Sequence, residues 1–235
     1  MRKNKVFSTV IDLVNEIENT QMENIENVAL AMAETIEKGG IIQAFGAGHS
    51  YGISLELTHR AGGFIPTKNI KEPALGAYES IEGVGTSFGK KVDIRKNDLV
   101  FVISNSGRNP LPLEVALISK EKGAKVVAVT AVEASKQLKS KHSSGKRLFE
   151  VCDFVLDNRV VLGDSSIDVD GLDTKVCGMS SIASDVVIQA AVLRAIEILM
   201  EKGINPPIYK SQNIDGGREF NEQLESQYLD RLYRI

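Results

Sequence analysis

Two short runs, VFVIS at residues 100–104 and VVAVT at 126–130, are apolar at almost every position. A strand with one wet face alternates apolar and polar side chains, and these do not. They fit strands buried on both faces, which occur in parallel sheets sandwiched between layers of helices. The intervening residues Leu111–Lys122 have helical spacing and stop at Gly123. Strand, helix, strand in that order predicts an α/β chain.

The remaining segments extend this pattern. Ile25, Val28, Ala29, Met32, Ala33 and Ile36 form one face of a helix over Phe7–Lys38, stopped by Gly39 and Gly40. IIQAF reads as the first strand, Tyr51–Ala61 as a helix, and GGFIPTKN as the second strand. A polar, glycine-rich stretch follows, with a short helix near Ala77–Glu82. LVFVIS and KVVAVT are the third and fourth strands. A weak helix over Ala131–Lys141 precedes the fifth, DFVLDN. A long helix, Ser180–Lys202, ends at Gly203, and a charged helix closes the chain. The expected architecture is a doubly wound five-stranded parallel sheet in a single domain, residues 1–235. Residues 1–38 pack on it as N-terminal helices, and 204–235 form a C-terminal extension.

The first and third strands run into loops of glycines and hydroxyls, GAGHS and SNSGRN. In an open parallel sheet the ligand crevice lies beyond the strands' carboxyl ends, where strand order reverses. If these two strands are neighbours there, the loops face one pocket. Gly46, Gly48 and Gly107 permit close backbone approach. Ser50, Ser104 and Ser106 supply hydroxyls, Asn105 lies between the last two, and Asn109 can cap the next helix ahead of Pro110. The helix N-termini after both loops offer N–H groups to an anion. The pattern points to a phosphate pocket that needs neither metal nor cofactor. A nucleotide fits less well, because the second strand ends without an acidic residue and no GxxxxGK[ST] run is present.

Composition narrows the partners. With 28 Lys and Arg against 31 Asp and Glu, no basic excess recruits nucleic acid or an anionic membrane. No apolar run approaches the ~18 residues needed to span a bilayer. The N-terminus lacks a signal peptide's apolar core. Cys152 and Cys177 form no paired motif and are expected as packing residues of a cytoplasmic chain.

FGAGHSYGISLELTHRAGG and VFVISNSGRNPLPLEVALISKEKGAKVVAVT resemble the two halves of a SIS (sugar isomerase) domain. Its signature is S-x-S-G, here Ser104–Gly107, followed by GA-x-V-x-A-V-T, here Gly123–Thr130. The resemblance spans roughly residues 22–202 and looks most like uncharacterised single-domain proteins labelled phosphoheptose isomerases. It implies a flavodoxin-like fold that binds a sugar phosphate. The family pattern ELT-x-R matches Glu56–Arg60, so Glu56 is similar to the isomerase base. Those isomerases also use a histidine on the last long helix, where this chain has none. Ser184, Asp185 and Gln189 are the site candidates there. NSGRNP also resembles the loop of N-acetylmuramic acid 6-phosphate etherases, and Glu79 is similar in placement to their second acid.

His49 and His59 suit proton shuttling, or equally capping and packing. His142 lies in a basic loop and is expected to be inert. Two readings stay open: an isomerase or lyase acting on a sugar phosphate, with Glu56 as base, or a sensor that binds the same ligand without chemistry. The helix Ile182–Leu199 is apolar almost all round, which predicts a second copy against it in a homodimer or homotetramer.

Overall fold

The computed structural model describes residues 4–233. The five apolar runs pair as parallel strands: β1 (Ile42–Gly46), β2 (Thr67–Ile70), β3 (Leu99–Ile103), β4 (Lys125–Thr130) and β5 (Phe154–Asp157). Their order is β2-β1-β3-β4-β5. Ile42 of β1 stands beside Thr67 on one side and Leu99 on the other. The order reverses between β1 and β3, so the two glycine-serine loops leave neighbouring strand ends, as expected.

The apolar runs serve two faces at once. Phe101, Ile103, Val127 and Val129 point into one core, and Val100, Val102, Val126 and Ala128 into the other. Helix α1 (Lys5–Glu37) is one continuous helix rather than several, with Asn4 accepting from the Val6 N–H as its cap. Helix α2 (Ser50–Glu56) is shorter than its periodicity suggested. It breaks where His59 takes φ 52°. The helix expected at 77–82 is absent: those residues form turns, with φ 50° at Leu75 and 87° at Gly76. A helix forms just after them, α3 (Val84–Gly89). Helices α4 (Pro110–Glu121), α5 (Val132–Lys136) and α6 (Ser180–Glu201) follow their strands much as read. A two-stranded hairpin, β6 (Ser165–Ile167) with β7 (Val176–Gly178), has no counterpart in the sequence reading. It leaves Cys177 exposed, so only Cys152 is a packing cysteine, its thiol pushed up to about 12 by burial.

Helix α6 finds its cover mainly within the chain. Its buried residues Ala183, Val187, Ala191 and Ala195 share a core with Ile17, Ile25, Val28 and Met32 of α1. A second copy is therefore not needed to bury most of this helix. The last segment, α7 (Gly217–Glu225) and α8 (Leu229–Leu232), returns to the start of β3. Arg231 donates to Asp98 at 2.7 Å, and the Asp98 side chain is wholly enclosed. Removing either partner would leave an uncompensated buried charge, at a cost of about 3–5 kcal/mol.

Gly46 ends β1 where α2 crosses it. A Cβ there would lie 2.1 Å from the Ser50 carbonyl oxygen, a backbone atom that cannot swing away. Gly46→Ala is expected to lower unfolding free energy by about 1–3 kcal/mol, the cost of overpacking. The urea midpoint measures this, and an unchanged midpoint would show that α2 can shift freely.

Candidate functional site

The two loops enclose one cavity of about 560 Å³ at the carboxyl ends of β1 and β3. Gly48, His49 and Ser50 line one side, and Ser104, Asn105, Ser106 and Asn109 the other, with Glu79 between them. The loops take these shapes for local reasons. Gly107 turns the chain at φ 59°, and a Cβ would press on Thr130 Oγ1 at 3.0 Å. Asn105 is anchored rather than free: its carbonyl accepts from Thr130 and Ala131, and its Oδ1 accepts from Asn158 at 3.0 Å. Gly46 and Gly107 shape the loops and do not line the cavity.

The helix N-termini are not the anion donors expected. The N–H groups of Ser50, Tyr51 and Gly52 bond to carbonyls of residues 47–49. At α4, Pro110 and Pro112 have no N–H, and Leu111 donates to the Glu79 carbonyl at 3.1 Å. The loop after β3 still offers backbone donors, because the N–H groups of Asn105, Ser106, Arg108 and Asn109 have no partner among the described residues, and side chains add to them. The Ser104 and Ser106 hydroxyls have no partner among the described residues, and the buried Nε of Arg108 is also unpaired. Lys141 reaches the same cavity on a loop tied down by its N–H to the Arg108 carbonyl, at 2.9 Å. Asp164 is the other acid here, and its carboxylate is occupied by Met179 and Ser180 at the start of α6.

Glu79 differs from Asp164. Its Oε1 accepts one hydrogen bond, 2.7 Å from Asn109 Nδ2, so Asn109 braces this acid instead of capping α4. Burial raises its pKa above the ordinary carboxylate value, against the opposing pull of Lys141. A carboxyl whose pKa is raised, in the same cavity as an exposed His49, is suited to proton transfer.

Glu56, His59 and Asp185 lie outside this cavity. Glu56 is ion-paired with Arg60 on the outer side of α2, and its side chain is 45% exposed. His59 Nδ1 sits 3.0 Å from the Tyr209 hydroxyl. Asp185 is on α6, with one buried carboxylate oxygen unpaired and its pKa raised by burial. Arg108 and Lys141 are the site cations that the sequence reading missed. Arg108 stood within the quoted NSGRNP, two positions past Ser106. No local signal brings Lys141 to it across the intervening α4, β4 and α5.

Glu82, Glu114 and His142 also gather, with ligand-capable atoms within 4.8 Å of one another. Their contacts are already those of a latch. Glu114 accepts from Gly83 and Thr86, and Glu82 from Ser143. His142 Nε2 lies 3.5 Å from Glu82 and 3.7 Å from Glu114. The His142 loop, expected to be inert, is thereby clamped to α3 and α4.

With this geometry in place, comparison with known proteins is informative. Residues 6–131 match the SIS domain family. The chain belongs to that family. It is 47% identical to the UPF0309 protein lmo0025 of Listeria monocytogenes serovar 1/2a over 97% of this chain and 98% of that one. It is 37% identical to UPF0309 protein GK1441 of Geobacillus kaustophilus over 97% and 95%. Among solved structures, a phosphoheptose isomerase from Francisella tularensis has the same fold, with TM-score 0.58 and 18% identity over 83% of this chain and 96% of that one. The Vibrio vulnificus NanR protein, solved with ManNAc-6P, also shares it, with TM-score 0.52 and 9% identity over 97% and 68%. No described helix of this SIS-domain chain is long and apolar enough to cross a membrane.

A raised carboxyl pKa means the folded state holds the Glu79 proton more tightly than the unfolded chain does. Its contribution therefore favours folding at low pH, and is lost as pH rises from the ordinary value of 4.5 through the raised one. Glu79→Gln keeps an oxygen for Asn109 and cannot ionise. Its stability relative to wild type should grow in urea titrations as pH rises from the ordinary value of 4.5 through the raised one. A difference that does not vary with pH would show that Glu79 titrates like a solvated acid.

Proposed function

We propose that this SIS-domain protein binds a phosphorylated sugar in the serine-loop cavity and isomerises it between aldose and ketose. The observation that carries this reading is the placement of Glu79, half-buried and braced by Asn109, in the same cavity as the unpaired Ser104 and Ser106 hydroxyls. Those hydroxyls, with Arg108 and Lys141, would hold the phosphate and fix the sugar's far end, so that binding energy supplies orientation. Glu79 would then move protons at the sugar's reacting end, with His49 assisting at the ring oxygen. On this reading residues 1–235 act as one unit, in the cytoplasm.

Exposed apolar side chains on α2 and α6 support assembly. Leu55, Ile182, Leu193 and Met200 are 40–59% exposed. A homodimer or homotetramer formed there would carry Glu56 and Asp185 toward the cavity of a second copy, giving Glu56 the base role implied by its ELT-x-R pattern. Light scattering at micromolar concentration should show a mass at least twice 25.6 kDa. A monomer would remove Glu56 from the mechanism.

A second reading, a non-catalytic sensor, is favoured by the lack of a histidine on α6 and by the fold shared with NanR, which was solved with ManNAc-6P. Two variants separate the readings in a panel of pentose, hexose, heptose and amino-sugar phosphates. Ser104→Ala with Ser106→Ala should weaken binding by about 1.5–3 kcal/mol per lost bond to the charged group. Glu79→Gln should keep binding and slow turnover by about 10²–10⁴. The readout is solvent deuterium exchange at the sugar's second carbon, which registers proton abstraction even without net conversion. Tight binding by the wild type without exchange, and without release of a leaving group, would establish the sensor.

A further inference from the structure

A second cavity, of about 1080 Å³, shares no lining residue with the serine-loop site. It lies beside the edge strand β2, between α3 and the end of the chain at Leu232 and Tyr233. One wall is apolar, built from Ile70, Val84, Phe88 and Val92. Three lysines, Lys68, Lys71 and Lys91, also line it.

The charges here do not cancel. Both acids in the lining are occupied. Glu72 accepts from the Ala74 and Gly76 N–H groups at 2.8 and 2.9 Å, and Glu82 accepts from Ser143. Asp93 and Asp98 behind the wall are bound by Arg95, Arg231 and Gln43. Lys71 and Lys91, by contrast, are exposed, with no hydrogen bond or ion pair among the described residues. Lys68 is only 7% exposed, and its buried ammonium has no hydrogen-bond partner among the described residues. Asn69 presents a second unpaired atom, Oδ1, while its amide nitrogen holds Ser54. An unpaired buried ammonium is costly and is relieved by an anion that displaces water from it.

We propose that this cavity is a second ligand site, for an organic anion with a flat apolar body, its charged group on Lys68 and Lys91 and its body against Phe88. The volume suits a ligand of nucleotide size. The proposal does not depend on the phosphosugar reading, since the two cavities share no residue.

Anilinonaphthalene sulfonate, a flat apolar anion, is the probe. Its fluorescence titration should saturate at one molecule per chain, and the methyl NMR signals of Ile70, Val84 and Val92 should shift. Lys91→Met and Lys68→Met should each weaken binding about tenfold, the loss of one charge-assisted contact. Lys91 is exposed, so its variant decides the matter even if Lys68→Met does not fold. Competition identifies the charged group: displacement by adenosine monophosphate marks a phosphate, and displacement by naphthoate a carboxylate. Non-saturating binding, shifts confined to other methyls, unchanged affinity in Lys91→Met, or displacement by neither competitor would overturn the proposal.

Discussion

Strands β1, β3 and β4 are covered on both faces, and no described residue of β1 or β3 is open to solvent. Such burial leaves their polar backbone no water, so parallel pairing with neighbours is the way to satisfy it. Parallel pairing in turn brings all five carboxyl ends to one edge of the sheet. Chain connections leave β1 and β3 in opposite directions, and the gap between them is the cavity. The position of the site is thus a consequence of how the core is buried.

Within that gap, the backbone donors at the two helix starts are largely spent, while those of the serine loop stay open. The prolines of α4 and the tight turns before α2 use up or delete the N–H groups that would have faced an anion. To the open N–H groups of the serine loop the chain adds hydroxyls and long cationic side chains. Those groups can be brought in from separate loops, which is how Lys141 joins Arg108. The bond from Asn109 to Glu79 couples this acid to the turn that carries the serines.

A second constraint sits at the opposite end of the sheet. Asp98, fully enclosed before β3, accepts from Ile41, Gln43, Arg95 and Arg231. This one carboxylate ties β1, β3 and the end of the chain together. It also sets α8 against the edge-strand cavity, so Leu232 forms part of its wall.

The sequence by itself determined the sheet, because continuous apolar runs and the glycines after them are local facts. The serine loops too are a pattern within a few residues, whereas Glu79 was singled out only by its resemblance in placement to the etherases' second acid. The sequence did not determine where α2 stops, since a positive φ at His59 is set by contacts with Thr67 and Tyr209 far along the chain. Nor could it show that α1 covers α6, which the apolar surface of α6 alone left open. The pairing of Lys141 with Arg108, the outward turn of Glu56 and the unpartnered Lys68 were decided by tertiary structure alone. Each depends on how segments distant in sequence pack, and side-chain burial and charge pairing are fixed only at that stage.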